Sequence, residues 1–370
     1  MPPTINTGAT SLHSRAVSKD ETTDLAAPSC PVPLPAGDRI LLGHGSGGKL
    51  SAELLRNVFL PALGNPVLDR LEDQAIVSLN SSRLAITTDS FVVKPLIFRG
   101  GNIGSLAVHG TINDLAVGGA EPLWLSAAFI LEEGLPIETL HLIVASMRDA
   151  AARAGVQIVT GDTKVVEKGS ADGMFINTTG IGLVREGLTL SAAQARPGDA
   201  VLVSGTLGDH GIAILAEREG LQFETAVQSD SAPLHTLVAS LLEATREVRC
   251  LRDPTRGGLS STLNEIAASS GVGMELEETS IPIHEEVRGA CEMLGLDPLY
   301  VANEGKLVAI VAPTATQAAL RALQNHPLGH DARIIGRVTS EHPRMVVMRT
   351  PFGTTRIVDM LAGDQLPRIC

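Results

Sequence analysis

Aromatic residues and cysteines are both scarce in this sequence. Aromatic residues make up 2% of the 370 residues while hydrophobic residues of all kinds make up 44%, so aliphatic side chains must form most of the core. The four cysteines, Cys30, Cys250, Cys291 and Cys370, include no pair with C-x-x-C spacing, which argues against a structural zinc site. They are too few for a disulfide framework in so long a chain, and we therefore expect a reducing, cytoplasmic location.

The sequence also lacks a long apolar segment and an excess of positive charge. No apolar run approaches the roughly 18 residues of a membrane span, and the first residues lack the charged-then-apolar pattern of a signal peptide. The net charge of −12 opposes general binding to nucleic acid or anionic lipid. We therefore expect no nucleic acid and no membrane as partners.

The distribution of hydrophobic residues predicts an α/β (α+β) protein of two domains. Residues 1–37 are rich in Ser, Thr, Pro and Ala and predict a disordered, flexible N-terminal arm. Apolar strands alternate with helices over 38–187 and again over 188–350, as in two consecutive α/β domains. Residues 351–370 have little core character and predict a mobile tail, which spans roughly 60–70 Å when fully extended. The tail carries Cys370 and could bring its thiol to an active site.

A glycine-rich loop, GHGSGGKL, follows the first predicted strand. Its glycines satisfy the dinucleotide-binding pattern G-x-G-x-x-G, and Gly48-Lys49 nearly completes a phosphate-binding P-loop. However, a P-loop needs Ser or Thr after the lysine, where this sequence has Leu50, and the dinucleotide pattern needs an acidic residue at the end of a second strand, which NPVLDRLEDQ does not form. Two interpretations stay open: a backbone that binds phosphate with help from Lys49, and a simple turn into a helix.

Several acidic side chains lie next to Gly or Thr in predicted polar loops, at the ends of apolar strands or helices. They occur in LEDQA, TTDSF, TINDLAVGG and TGDTKVV and comprise Glu72, Asp73, Asp89, Asp114 and Asp162. Mg²⁺ bound to a nucleotide polyphosphate requires converging oxygen ligands, which this set would supply. Each carboxylate taken alone is more typical of a helix cap or a turn. The set as a whole, with Lys164 close to Asp162, indicates a binding site more strongly than any one member does.

Two further motifs and one histidine are candidates for ligand contacts. RDPTRGGL places Asp253 and Arg256 before a predicted helix, which fits either an anion-binding helix start or a plain capping turn. Glu304, in NEGKLV, precedes a strand and would serve as a general base if partly desolvated, although a lone Glu there is more often an ordinary loop residue. His210, in the glycine loop GTLGDHG, could contact a ligand.

Nine motifs together resemble one known family. In chain order they are HGSGGK, LED, TTDSFVV, NDLAVGGAEP, GDTKVV, SGTLGDHG, RDPTRGGL, NEGKLV and PRIC. This series resembles the HypE family of hydrogenase maturation proteins, which are carbamoyl dehydratases of the ATP-binding superfamily of aminoimidazole ribonucleotide synthetase and selenophosphate synthetase. The resemblance covers residues 38 to 370 and implies the two-domain fold of that superfamily. It leaves the first 37 residues unexplained.

The resemblance also implies an activity, cofactors and partners. Proteins of this family are homodimers that use ATP and Mg²⁺. A HypF-like carbamoyltransferase loads a carbamoyl group onto the C-terminal cysteine, and ATP-dependent dehydration then converts the thiocarboxamide to a thiocyanate. A HypC–HypD-like complex accepts the cyanide for the iron of a nickel–iron hydrogenase.

Matching the motifs residue by residue assigns roles in this sequence. By resemblance, the Mg²⁺ ligands are Asp73, Asp89, Asp114 and Asp162. The nucleotide-binding residues are Gly47, Gly48, Lys49, Asn113, Asp114 and Thr163. The catalytic residues are Lys164, Glu304 and Cys370. Lys164 would stabilise charge on the oxygen and phosphate, Glu304 would be the base, and Cys370 would carry the substrate group.

Two other functions remain open. The same fold could act on a free small molecule, as the synthetases of the superfamily do, although such an enzyme has no need of a thiol on a tail. The protein could also be a scaffold that only binds nucleotide, although the carboxylates and Lys164 argue for catalysis.

Overall fold

The structure is a computed structural model, and it describes residues 42–79, 82–220, 227–363, 366 and 369–370. The predicted arm, residues 1–37, lies outside the described residues. Two β-sheets with their helices form most of the described chain, which confirms the predicted α/β (α+β) class. None of the helices described is both long enough and apolar enough to span a bilayer.

The first sheet has five strands. We call the part of the chain up to the end of this sheet the first half and the part after it the second half. In chain order, the strands of the first half are β1 (Ala75–Leu79), β2 (Ser82–Phe91), β3 (Ile97–Phe98), β4 (Gly101–Asn102), β5 (Ala120–Glu132), β6 (Gln157–Val166) and β7 (Met174–Val184). The sheet has the order β1-β2-β7-β5-β6, and β3 pairs with β4 in a separate ribbon. The helices are α1 (Lys49–Leu54), α2 (Leu60–Leu63), α3 (Ile103–Val117) and α4 (Ile137–Ala154). Helix α4 connects the parallel strands β5 and β6, as such a crossover requires.

Helix α3 is buried on almost every side. The side chain of Asn102 caps it by accepting hydrogen bonds from the N–H groups of Gly104 and Ser105. Every residue of the helix except Asp114 is buried. A helix that is apolar all round belongs in an interior. It packs on β2 and β7 and also contacts the second half of the chain, so it presents Asp114 between the two halves.

The second sheet has seven strands. They are β8 (Ala200–Val203), β9 (Val248–Arg252), β10 (Gly273–Glu277), β11 (Val308–Val311), β12 (Arg333–Thr339), β13 (Val346–Arg349) and β14 (Thr355–Ile357), in the sheet order β14-β13-β10-β12-β8-β11-β9. The helices are α5 (Asp209–Glu219), α6 (His235–Ala244), α7 (Gly258–Ser270), α8 (Glu285–Leu294) and α9 (Thr316–Gln324). Alternate residues of β8 face two cores, with Val201 and Val203 in one and Leu202 in the other.

The elements predicted from the sequence agree with the structure at most places and differ at two. The helix after the glycine loop is confirmed as α1, and the helices expected near 231–247 and 257–270 are confirmed as α6 and α7. The polar loop predicted at TGDTKVV is wrong, because β6 continues through it to Val166. An edge strand exposed to solvent tolerates these polar side chains. The predicted boundary at residue 350 falls inside the second sheet, because β14 pairs with β13.

The outer face of the first sheet, opposite α3 and α4, is exposed and apolar. On this face Ile86, Trp124, Ile130 and Leu183 are between 36% and 45% exposed. Ile86 and Trp124 both lie beside Ile181 of β7, so the apolar surface is continuous across three strands. Such a surface is typical of a protein interface. Strands β1 and β6 end the sheet, with no further partner strand among the described residues.

Candidate active site

A cavity of about 230 Å³ lies where α3 and β2 meet the loops of the second half. Its lining includes five residues selected from the sequence: Asp73, Asp89, Asp114, Glu304 and Cys370. The loop RDPTRGGL contributes further side chains to the same cavity. The structure therefore brings together, within one chain, motifs from both halves and from the tail.

Three carboxylates of this cavity come from the first half of the chain. Asp73 precedes β1, Asp89 lies near the end of β2, and Asp114 lies in the last turn of α3. Thr87 joins them, because its hydroxyl oxygen lies 2.6 Å from Asp114 Oδ2 and 3.0 Å from the carbonyl oxygen of Asp73. Asp89 lies two residues after Thr87 on the same strand, so it projects from the same face.

The second half supplies two arginines. Arg252, at the end of β9, has its Nε 2.9 Å from Asp73 Oδ2 and its Nη2 2.6 Å from Glu265 Oε2. Arg256 lies four residues later and lines the cavity itself. The glycine loop packs directly on it: Gly47 has a φ of 72°, and a Cβ there would lie 2.7 Å from the carbonyl oxygen of Arg256. Only glycine fits this conformation and this close approach.

Glu304 is held in the turn before β11 and is 2% exposed. Its N–H donates to Asp230 Oδ1 at 3.0 Å, and its carbonyl oxygen accepts from Asn113 Nδ2 at 3.0 Å. The Cys370 thiol hydrogen-bonds to its carboxylate, whereas Oε1 has no hydrogen-bond partner among the described residues. A buried carboxylate oxygen with a free lone pair can accept a proton from a bound substrate.

Burial and mutual repulsion raise the pKa values of the clustered carboxyl groups. Burial is the main cause for Asp73, Asp114 and Glu304, whose pKa values lie well above the ordinary range, and neighbouring carboxylates add to the effect. Burial also raises the pKa of Asp253 to about 6. Arg256 opposes the shift at Glu304 but does not cancel it. The cluster is short of positive charge and would stabilise a bound cation.

The lining fits Mg²⁺ bound together with a polyphosphate. In the part of the chain that the structure describes, no three His, Cys, Asp or Glu side chains converge closely enough to hold an ion by themselves. Mg²⁺ in nucleotide enzymes takes one or two carboxylates, and phosphate oxygens and waters complete its octahedron. The cavity offers carboxylate oxygens, and Glu304 Oε1 has no hydrogen-bond partner within the described part of the chain.

The Cys370 thiol lies in the cavity of its own chain. Val92 N–H donates to a main-chain carboxylate oxygen of Cys370 at 3.1 Å, and His210 Nε2 lies 2.6 Å from the carbonyl oxygen of Ile369. Burial raises the pKa of the thiol, although Arg256 favours the thiolate. A protonated thiol is a poor nucleophile. In this position Cys370 is therefore better suited to carry a group than to attack one.

The glycine loop borders a second cavity of about 400 Å³. Gly47, Gly48, Leu68 and Leu71 line it, and Asp73 lines both cavities. The two spaces therefore adjoin at Asp73. The larger one offers apolar side chains and glycine backbone, and the smaller one offers carboxylates.

Four of the predicted site residues lie away from the carboxylate cavity in this chain. Lys49 forms an ion pair with Asp359. Asp162, Thr163 and Lys164 lie within β6, where Lys164 Nζ is 2.8 Å from Asp162 Oδ2 and both side chains are more than 60% exposed. Asp162 and Lys164 project from the outer face of the sheet, whereas Asp89 projects from the inner face. One chain does not bring the two sets together.

Asn113, predicted to bind nucleotide, is 1% exposed and is fully used by protein contacts. Its Nδ2 donates to the carbonyl oxygens of Glu304 and Ala232, and its Oδ1 accepts from Leu234 N–H at 2.8 Å. Adjacent helix residues point about 100° apart, so Asp114 reaches the cavity while Asn113 faces the loops behind it. Its geometry indicates that it positions Glu304.

The structure adds four residues to the site that were not assigned roles from the sequence. Asp253 and Arg256 line the cavity, Thr87 contacts Asp114, and His210 contacts the tail. RDPTRGGL already gave a signal for the first two, because a cation followed by glycines and a helix favours an anion. Thr87 gave none, since threonine is common in strands.

Two protein families match the chain. "AIR synthase related protein, N-terminal domain" matches residues 71–184, and "AIR synthase related protein, C-terminal domain" matches residues 196–348. The first match covers the five-stranded sheet and the second covers most of the seven-stranded sheet. The fold expected from the resemblance is therefore confirmed.

Proteins of known name are similar over most of the chain. Carbamoyl dehydratase HypE of Azotobacter vinelandii is 58% identical over 327 residues, which is 88% of this chain and 96% of that protein. A chain in the crystal structure of a HypE–HypF complex has a TM-score of 0.80 and 50% identity, covering 83% of this chain and 99% of that one. The crystal structure of hydrogenase maturation protein HypE in complex with ATP has a TM-score of 0.76 and 50% identity, covering 90% and 100%.

Proposed function

The chain belongs to the HypE family of carbamoyl dehydratases, and we propose that it uses ATP to dehydrate a carbamoyl group carried on the sulfur of Cys370. The product is an S-cyanate, or thiocyanate, which supplies cyanide ligands for the maturation of nickel–iron hydrogenase. The observation that carries the proposal is the position of the Cys370 thiol, in one cavity with Glu304, Arg256 and a set of aspartates.

The reaction needs a leaving group, a base and a cation. The carbamoyl oxygen attacks the γ-phosphorus of ATP and releases ADP, so that this oxygen later leaves as phosphate. The nitrogen loses two protons in total as the C≡N bond forms. Glu304 accepts them, because its Oε1 has no hydrogen-bond partner among the described residues and its raised pKa makes its carboxylate a stronger base. Arg256 stabilises the negative charge on the oxygen and phosphate.

We place the nucleotide across the two adjoining cavities. The base and ribose occupy the larger cavity, where Leu68 and Leu71 provide apolar contacts. The phosphates pass the backbone of Gly47 and Gly48 towards Asp73, where the two cavities join. Mg²⁺, held by some of the aspartates of the smaller cavity, would neutralise the phosphates there. The small volume of that cavity protects the intermediate from water.

We propose that the active form is a homodimer joined through the outer face of the first sheet. The exposed apolar side chains of that face and the two unpaired edge strands, β1 and β6, support this. Val159 and Val165 of β6 are 58% and 68% exposed, which is unusual for a long edge strand in a monomer. Asp162 and Lys164 project from the outer face of the first sheet, so a second copy packed on that face is the route by which they would reach a cavity.

The partners follow from the same chemistry. A HypF-like carbamoyltransferase would load Cys370, as the HypE–HypF complex of a relative supports. A HypC–HypD-like complex would then accept the cyanide. The described cysteines, Cys250, Cys291 and Cys370, are free thiols, which is consistent with a reducing cytoplasm.

The test is a mass measurement on the carbamoylated protein. After addition of Mg–ATP, the C-terminal peptide should lose the mass of one water, and ADP and phosphate should form in equal amounts. Glu304→Gln should bind ATP but show no loss of water. No loss of water from the wild type, or ATP turnover with a free small molecule that survives removal of the tail, would contradict the proposal.

A further inference from the structure

A buried histidine contacts the tail beside the cavity. His210, in the first turn of α5, is 0% exposed. Its Nε2 lies 2.6 Å from the carbonyl oxygen of Ile369, and its Nδ1 lies 2.8 Å from Ser229 Oγ. The ring of Phe98 packs edge-on against it, with 5.7 Å between centroids. The imidazole is thus fixed on three sides, and one of its partners is the residue next to Cys370.

These contacts determine which nitrogen carries the proton. A carbonyl oxygen only accepts, so Nε2 must donate to Ile369. Burial lowers the pKa of His210, so the ring is neutral and Nδ1 accepts from the hydroxyl of Ser229. Ser229 is itself fixed, because its N–H donates to the carbonyl oxygen of Arg99 at 2.9 Å. The donor on Nε2 is therefore oriented towards the tail before the tail arrives.

The rest of the contact between the tail and the core is apolar. Ile369 and Leu366 are 6% and 8% exposed and belong to the core cluster between the two halves. Gly211 lies close to Val301 and Leu366: a Cβ there would lie 2.5 Å from Val301 Cγ1 and 3.4 Å from Leu366 Cδ1. Apolar contact of this kind has little directionality, so it does not fix the direction in which Cys370 points. The hydrogen bonds at the end of the tail fix that direction.

A tail that carries a group between proteins must also leave the cavity. The cavity of about 230 Å³ around Cys370 has no space for the active site of another protein. We propose that His210 is a latch on the tail. The hydrogen bond from its Nε2–H to the carbonyl oxygen of Ile369 holds Cys370 in the cavity during dehydration. This bond breaks when the thiol is loaded or emptied. His210 is a positioning residue, because it contacts the tail and not the reacting atoms. The assignment of the reaction that it serves rests on the proposed function.

Three substitutions separate the hydrogen bond from simple packing. His210→Phe keeps a ring against Phe98 but removes the donor. His210→Gln keeps an N–H group close to the position of Nε2. His141→Gln, on the exposed side of α4, is the matched control. A thermal unfolding curve for each variant shows whether it folds.

The first readout is the rate at which N-ethylmaleimide labels Cys370 in the full-length protein without ATP. Mass analysis of the C-terminal peptide separates this thiol from the other cysteines. Loss of one buried hydrogen bond should raise the labelling rate of His210→Phe roughly two- to tenfold. His210→Gln should return it towards the wild-type rate, and His141→Gln should leave it unchanged.

The second readout is single-turnover dehydration of the carbamoylated protein, which should slow in His210→Phe and recover in His210→Gln. Labelling and dehydration should therefore move in opposite directions. Unchanged labelling in a folded His210→Phe, or no recovery in His210→Gln, would overturn the latch. If His210→Phe does not fold, Ser229→Ala takes its place. This substitution removes the hydroxyl that donates to Nδ1 of His210, so that the proton is no longer held on Nε2. Labelling needs no carbamoyl group, so it tests the latch even if the wild type fails to dehydrate.

Discussion

Asp253→Asn should stabilise the ligand-free protein at neutral pH. Asp253 lines the carboxylate cavity, and burial raises its pKa from the usual 3.8 to about 6, with repulsion from Asp89 adding to the shift. A raised pKa means that the folded state disfavours the ionised form, so ionisation lowers the free energy of unfolding. Asparagine has nearly the same shape and carries no charge.

The magnitude follows from the pKa difference. Below pH 3.8 the carboxyl group is protonated in both states, and the substitution has no electrostatic effect. Between pH 3.8 and about 6 the unfolded state releases the proton first, so the wild type loses stability relative to the variant. A shift of about 2 units at about 1.4 kcal/mol per unit gives about 3 kcal/mol at pH 8, and about 1 kcal/mol at pH 4.5.

The assay is urea unfolding at pH 4.5 and pH 8, without nucleotide and with EDTA present. The difference in unfolding free energy between Asp253→Asn and the wild type should grow with pH. Asp331→Asn, at an exposed position, is the control and should show the same difference at both pH values. A difference at Asp253 that does not grow with pH, or a variant less stable than the wild type at pH 8, would refute the reasoning.

Two further predictions concern Asn113 and the dimer. Asn113→Leu should lower the unfolding free energy by about 2–5 kcal/mol, because it leaves buried backbone groups unpaired. Titration calorimetry should show that the binding free energy of ATP changes by less than the unfolding free energy. A loss of ATP affinity with unchanged stability would instead support the nucleotide-binding role. Co-assembled dimers of Lys164→Ala and Glu304→Gln chains should recover up to half of the wild-type activity if Lys164 serves the partner's cavity. Inactive mixed dimers would show that it does not.

Local pattern in the sequence predicted most of the fold. The sequence predicted the apolar strands and the helices bounded by glycine, such as α3 and α7. A few adjacent residues determine the periodicity and the ends of such elements. The loop predicted at Asp162 was wrong because a polar stretch in an exposed edge strand has the same composition as a loop. The strand β14, only three residues long, depends on its pairing with β13 and has no strong pattern of its own.

The candidate site was predictable in part. Motif order selected Asp73, Asp89, Asp114 and Glu304, which the structure places around one cavity. It could not distinguish Asp114 from its neighbour Asn113, because only the packing of α3 determines which of two adjacent side chains faces the cavity. The contact between His210 and the tail was also beyond the sequence, since the two lie 159 residues apart and meet only in the folded chain.

The central claim is that ATP activates the oxygen of a carbamoyl group held on Cys370. The most direct measurement uses a carbamoyl group labelled with ¹⁸O at its carbonyl oxygen. We predict that a single turnover with Mg–ATP transfers the label to inorganic phosphate, while the C-terminal peptide loses the labelled oxygen and two protons, a mass equal to one ¹⁸O-labelled water. Label that stays on the protein or enters bulk water, with unlabelled phosphate, would contradict the account.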